Sequence, residues 1–216
     1  MQEFLTVTGM IIKQMPVGEY DRRICILTKE RGKISAFAKG ARKPGNRLAA
    51  ATNPFSFGVF KIFQGRTSYN IMDADIQNYF EELRNDFVRA YYGMYFAEFA
   101  DFYTRENNDE RQMLKLLYQS LRALSHPSLD LQLVKSVFEL KSIMVNGEYP
   151  GIPKEQILDE ATVYTLTFIE NSPIEKLYTF TVKENVLRQL MDIADNYRNK
   201  ITNHTFKSLD ILKNLC

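Results

Sequence analysis

Tryptophan is absent from this 216-residue chain, and cysteine and histidine occur only twice each. Cys25 lies in an apolar stretch and Cys216 is the last residue, so no C-x-x-C spacing exists. Adding His126 and His204 gives four potential ligands scattered over the whole chain, with no half of a zinc site pre-formed. A catalytic Cys–His pair is equally unsupported. There is no run of about 18 apolar residues, and the opening MQEFLTVTGM has no basic n-region. Neither a membrane span nor a signal peptide is expected, which makes the cytoplasm the default compartment. Gly32, Gly40 and Gly45 are not spaced as a Walker loop or a dinucleotide fingerprint, and G-x-S-x-G and H-E-x-x-H are missing. Acid pairs do occur, at Glu81-Glu82, Asp73/Asp75 and Asp109-Glu110, but at helix starts or turns, where dipole complementation or solvation accounts for them. His126 precedes a proline and His204 has no orienting partner nearby in sequence. No catalytic residue, metal or cofactor is expected.

What the chain does have is charge, unevenly placed. The net charge is only +2. Residues 1–70, however, hold twelve Lys/Arg against four Asp/Glu, while the other 146 hold sixteen against twenty-two. A basic N-terminal module on an acidic body fits a polyanion-binding part carried by something that binds a different partner. The basic character peaks between Lys29 and Arg47, KERGKISAFAKGARKPGNR, with seven cations and one acid. Within it, Lys33 to Lys39 alternates as a strand does, and Gly32, Gly40 and Gly45 punctuate the ends. Such a strand running into a Gly/Pro-interrupted basic loop offers a phosphate chain both cations and backbone N–H groups. A solvated hairpin with ordinary surface lysines fits the same composition.

Apolar residues make up 45% of the chain and charged ones 25%, a globular composition. Five short β-prone runs come first: 4–13, 22–29, 33–39, 55–64 and 69–74, with glycines at the bends. They suit a small closed barrel. From Tyr79 the period changes: Phe80, Leu83, Phe87, Tyr91, Tyr95, Phe99 and Phe102 form a helical stripe, with Asn85-Asp86 placed to cap a break. A second helix starts at Asp109 and ends at His126-Pro127-Ser128, and a third covers 129–145 before Asn146-Gly147. Thr162 to Ile169 (TVYTLTFI) and Leu177 to Val182 (LYTFTV) read as a small hairpin, and 183–197 and 207–215 as further helices. The fold class is therefore α+β. It comprises an N-terminal β-barrel domain over 1–79, then a helical bundle over 80–216 with a small β-hairpin insertion at about 160–182.

Several runs within the first module match a known family in order and spacing. They are Gly9-Met10-Ile11-Ile12-Lys13, Gly18-Glu19-Tyr20-Asp21-Arg22, Leu27 through Ser35, Ala38 through Pro44 and Asn53-Pro54-Phe55. Over these roughly 70 residues the chain resembles the RecO family of recombination mediators and DNA repair proteins, and Tyr91 to Tyr103 resembles that family's helical region. The resemblance implies an OB-fold barrel followed by a helical domain. It implies binding of single- and double-stranded DNA, annealing of complementary strands, and cooperation with RecR to load RecA on DNA covered by single-stranded-DNA-binding protein (SSB). It also implies a pocket for the C-terminal tail of SSB. Many family members carry two C-x-x-C pairs holding zinc after the third helix, whereas residues 152–182 contain no cysteine. Zinc is therefore not expected, and a metal-free hairpin takes its place.

An OB barrel holds single strands with a cationic groove and aromatic faces for the bases. The candidate DNA contacts are Arg22, Arg23, Lys29, Arg31, Lys33, Lys39, Arg42, Lys43, Arg47 and Arg66, with Tyr20 and Tyr69 near turns as stacking candidates. Phe37, Phe55, Phe57, Phe60 and Phe63 alternate in a way that assigns them first to the barrel core. For an acidic, apolar tail the candidate rim is Arg105, Arg111, Lys115, Arg122, Lys135 and Lys141. The rival is an adaptor in which the barrel is only a scaffold and the helical body binds SSB or another partner.

Overall fold

The computed structural model describes residues 4–65 and 68–215. Five strands come first: β1 (Phe4–Val17), β2 (Asp21–Thr28), β3 (Gly32–Ala38), β4 (Phe57–Gln64) and β5 (Tyr69–Asn78). They close into a barrel in the order β1-β2-β3-β5-β4. The alternation of apolar side chains decides which face turns inward. Ile24 and Ile26, Ile34, Ala36 and Ala38, Phe60 and Ile62, and Tyr69 and Ile71 fill the interior with Val7 and Ile11. β1 serves two neighbours, pairing with β4 through its first half and with β2 through its second, and a register shift between Ile11 and Lys13 bends it from one to the other. Helix α1 (Leu48–Ala51) lies between β3 and β4 in sequence and sends Leu48 into the barrel core. This closed five-strand arrangement, with a parallel β3–β5 contact, is the OB type.

Seven helices follow among the described residues: α2 (Glu81–Asn85), α3 (Phe87–Tyr103), α4 (Arg111–Ser125), α5 (Leu131–Val145), α6 (Glu160–Asn171), α7 (Glu184–Thr202) and α8 (Lys207–Leu215). The break between α2 and α3 falls at Asp86, whose carboxylate accepts the Arg89 N–H at 3.0 Å. Asp130 caps α5 in the same way, accepting from Gln132 and Leu133. α5 is buried without interruption from Leu133 to Ile143, because α3, α4, α6 and α7 surround it. α8 lies on α3, where the Glu98 carboxylate accepts the Lys207 and Ser208 N–H groups at 3.0 Å. None of the described helices is long and apolar enough to cross a membrane.

The expected hairpin at 160–182 is not formed. Residues 160–171 are α6, a 3-10 turn covers Ile174–Lys176, and 177–183 is irregular. The buried positions of α6 are Thr162, Thr165, Leu166 and Ile169, a helical period that the β-branched residues of TVYTLTFI disguise as strand alternation. Thr165 and Thr167 turn their hydroxyls back onto the carbonyls four residues earlier, which lets threonine sit inside a helix. Among the described residues the Leu177–Val182 run pairs with no strand; instead the Tyr178 hydroxyl bonds Ser120 Oγ at 2.5 Å.

Two of the charged residues of α5 are buried for structural reasons. Glu139, fully buried, accepts from Arg198 Nη1 at 2.8 Å, from Lys135 Nζ at 3.1 Å and from the Tyr95 hydroxyl. Asp195 closes the network by accepting from Lys135 and Arg198. Two buried cations are thus balanced by one buried carboxylate and by the half-exposed Asp195 at the network's edge, the pairing under which burying charge is tolerable.

The helices meet the barrel at the β2–β3 turn. Lys33 N–H donates to the Arg105 carbonyl at 3.0 Å, Asn107 N–H donates to the Arg31 carbonyl at 2.9 Å, and Gly32 bridges Glu106. Beside this backbone joint, Asp101 of α3 accepts from Lys33 at 2.8 Å and from Lys13 at 3.1 Å. Met10, Ile12, Leu27 and Phe55 of the barrel side are part of the helical core. Phe57 lies against Tyr118 with centroids 4.7 Å apart.

Candidate nucleic-acid interface

The joint occupies one end of the barrel; the opposite end gathers the loops β1–β2 (residues 18–20) and β3–α1 (39–47). Asp21 ties these two loops together by accepting the Gly40 N–H at 2.7 Å. Arg42 adds two more ties, with its N–H donating to the Tyr20 carbonyl at 2.8 Å and its Nη1 to the Gly18 carbonyl at 3.1 Å. With its backbone held this way, Tyr20 projects its ring into solvent, 43% exposed, and Lys43 Nζ lies 5.1 Å from the ring centroid. Lys39 is exposed beside them. Arg47 is exposed on the β5 side, paired with Asp73 at 3.2 Å and donating to the Met72 carbonyl. Arg22 sits beneath this group and is spent on the scaffold, its Nη1 donating to Ala49 O, Thr52 Oγ1 and Asn53 Oδ1 between 2.7 and 3.0 Å. Burial first, and the neighbouring charge of Arg42 second, lower the Arg22 pKa.

The remaining candidates separate by position. Arg23 is exposed on β2, its Nε fixed to Ser35 Oγ at 2.9 Å. Lys29 and Arg31 are exposed at the β2–β3 turn, next to the helices rather than at the loop end. Lys33 belongs to the joint through Asp101. Tyr69 is inside the barrel at 7% exposure, since it occupies an inward position of β5, so its ring is closed to stacking. Arg66 lies outside the described residues. Among the rim candidates, Arg105, Arg111, Lys115 and Arg122 are exposed. Arg105 turns back onto the Phe102 and Thr104 carbonyls, Arg111 pairs with Asp109, and Lys115 pairs with Glu175. The Arg111 guanidinium pulls the Asp109 carboxyl down to about 2. Arg122 lines a cavity of about 620 Å³ with Asn78, Phe80, Glu82, His126 and Pro127. Lys135 and Lys141 are corrections: both are buried on the central helix, the first in the Glu139 network and the second on the C-terminal carbonyls of α6. A cation's letter in the sequence does not disclose whether its helix is ringed by others.

Sequence reasoning missed the role of Asp21, an acid that organises a basic site; its signals were its place at the start of β2, just before the Arg22-Arg23 pair, and in the run Gly18 to Arg22. No group of three or more potential metal ligands occurs among the described residues.

A closed OB barrel with a cationic loop end, its other end welded to a helical layer, defines a class of OB-fold protein with an appended helical body. Residues 1–80 match the family model described as Recombination protein O N terminal, and residues 84–155 match Recombination protein O C terminal. The DNA repair protein RecO of Acetivibrio thermocellus is 28% identical over 245 aligned residues, covering 98% of this chain and 97% of its own. That of Clostridium perfringens is 25% identical, with 95% and 96% covered. That of Symbiobacterium thermophilum is 34% identical over 146 residues, with 68% and 58% covered. The chain belongs to the RecO family.

Proposed function

We propose that this protein is a DNA repair and recombination mediator that binds single- and double-stranded DNA through the barrel, residues 1–79, and anneals complementary strands. With RecR it then helps load RecA on SSB-coated single strands, and the helical part, 80–216, receives the SSB tail near the exposed cations Arg105, Arg111, Lys115 and Arg122. The role is non-enzymatic, and no catalytic residue is assigned. The observation that carries this reading is the grouping of Lys39, Arg42, Lys43 and Arg47 at the barrel end away from the helices, on loops pinned by Asp21. Backbone phosphates supply most of the affinity in such sites and make it salt-dependent. With about four phosphates neutralised, the slope of log K against log salt on single strands is expected near −3, at about 0.7 per phosphate. Double charge reversal, Arg42→Glu with Lys43→Glu, is expected to abolish annealing and flatten that slope, while a pull-down of SSB stays unchanged. DNA binding that is absent or insensitive to salt in the unmodified protein would refute the reading and favour an adaptor working through its helices alone.

A further inference from the structure

Residues directly opposite one another on neighbouring strands point to the same face of a sheet. Followed around the barrel, one outward row reads Met15 on β1, Arg23 on β2, Phe37 on β3, Asn70 on β5, Phe63 on β4 and Phe4 back on β1, each opposite the next. Three of its six members are phenylalanines, and none of the three is in the core. Phe4 is 51% exposed, and Phe37 and Phe63 are partly exposed, while their strand neighbours Ala36, Ala38 and Ile62 are buried. Phe4 and Phe63 meet edge to face with centroids 6.4 Å apart, and Lys61 Nζ lies 5.4 Å from the Phe4 ring. Arg23 stands on the other side of Phe37, between it and Met15. The helical layer does not cover this surface: it meets the barrel through Met10, Ile12, Leu27, Phe55 and Phe57. At a strand spacing of roughly 4.8 Å, Phe37 and Phe63 are about 10 Å apart across β5, with Phe4 one strand further on.

Exposed rings flanked by cations, in a line that continues from the loop end through Arg23, have the chemistry of unpaired bases on a charged backbone. We propose that this row is a base-stacking track for single-stranded nucleic acid. Phe37, Phe63 and Phe4 take base faces, and Arg23 and Lys61 hold flanking phosphates. This rests on the nucleic-acid reading above and gives it a surface that serves single strands alone, because a duplex keeps its base faces inside its own stack.

The test uses the full-length protein with a 2-aminopurine-labelled oligonucleotide, single-stranded and as a duplex. Phe4→Ala, Phe37→Leu and Phe63→Leu are each expected to weaken single-strand binding about 5- to 100-fold and to lose the change in 2-aminopurine fluorescence. Duplex affinity and salt slope are expected to stay at wild-type values, and Phe37→Tyr to keep full single-strand binding. Equal loss on both DNA forms, or no loss on either, overturns the track. Should a Leu variant fail to fold, photo-crosslinking of the wild type to a bromouracil-containing strand decides the matter. Cross-links on peptides holding Phe4, Phe37 or Phe63 support the track, and cross-links confined to residues 39–47 or to the helices overturn it. Absence of salt-sensitive binding by the wild type refutes the underlying reading instead, separately from this one.

Discussion

Asp101 is the residue on which the joint between barrel and helices turns. Burial is the largest influence on its carboxyl and pushes it up, but hydrogen bonds and charge from Lys33 and Lys13 outweigh burial and hold it below its ordinary value of 3.8. A carboxyl depressed in the folded state contributes stability above its unfolded pKa and loses it as pH falls through the folded value. Asp101→Asn is therefore expected to cost about 1–2 kcal/mol at pH 7. The gap between variant and wild type should shrink as pH falls below the ordinary carboxylate range and go on closing as it passes through the depressed folded-state value. Urea titrations across that range measure it, and a gap independent of pH would assign the loss to packing rather than to the ion pairs. The same residue shows the limit of reading single letters. Lys33 belongs to a basic run in sequence, yet its ammonium is committed to α3, and only the fold distinguishes it from Lys39 or Lys43. Cys25, close by, is a further example: burial, then the Asp101 charge, push its thiol up to about 11, which favours the protonated thiol at neutral pH.

Among the elements, α6 is the informative one. Its C-terminal carbonyls at Ile169, Glu170 and Ser172 accept from the single ammonium of Lys141 at 2.8, 2.8 and 3.0 Å, so a cation on α5 ends the helix that sequence reads as strands. Burial lowers the Lys141 pKa, with Glu170 opposing that shift. Lys141→Met keeps the length of the side chain and removes the donors, which should cost about 1–3 kcal/mol. Amide exchange in residues 166–172 should speed up while the barrel amides stay unchanged; equal acceleration in both would mean a global effect rather than a lost cap. Elsewhere the elements were legible where local signals agree. The five strands fall within a few residues of their β-prone runs, and the α2–α3 break falls on the Asp86 cap. The segment 160–182 was not legible because its β-branched composition and its helical burial period disagree, and burial against α5 and α7 decides the outcome.

In the whole molecule, charge segregation in the sequence corresponds to a division of surfaces. The loop end of the barrel is free and basic, and the turn end is closed by backbone bonds to residues 105–107. Gly32 sits at that closure with φ +63°, and a side chain there would run into the Arg105 carbonyl and approach the Asn108 carbonyl to 2.8 Å. Gly45 has a similar φ of +73° but nothing within 4 Å. Gly45→Ala should thus cost only the left-handed backbone penalty, about 1–2 kcal/mol, and Gly32→Ala about 1–3 kcal/mol more through the clash. Thermal unfolding of the two variants compares them directly, and equal losses would show that the joint yields without strain.

The closure also sets an order in time. Among the described residues β3 pairs with β5 only at Ala36 and Phe37, and on that edge the Gly32–Lys33 stretch finds its partner in Arg105 and Glu106 instead. A chain leaves the ribosome from its N-terminus at about 5–20 residues per second. The barrel strands are therefore all available on the order of seconds before the segment that seals them. During that interval the end of β3 is an open edge, the kind of surface on which nascent chains pair with the wrong neighbour. The barrel is made first and finished late, so its maturation depends on the successful start of the helices behind it.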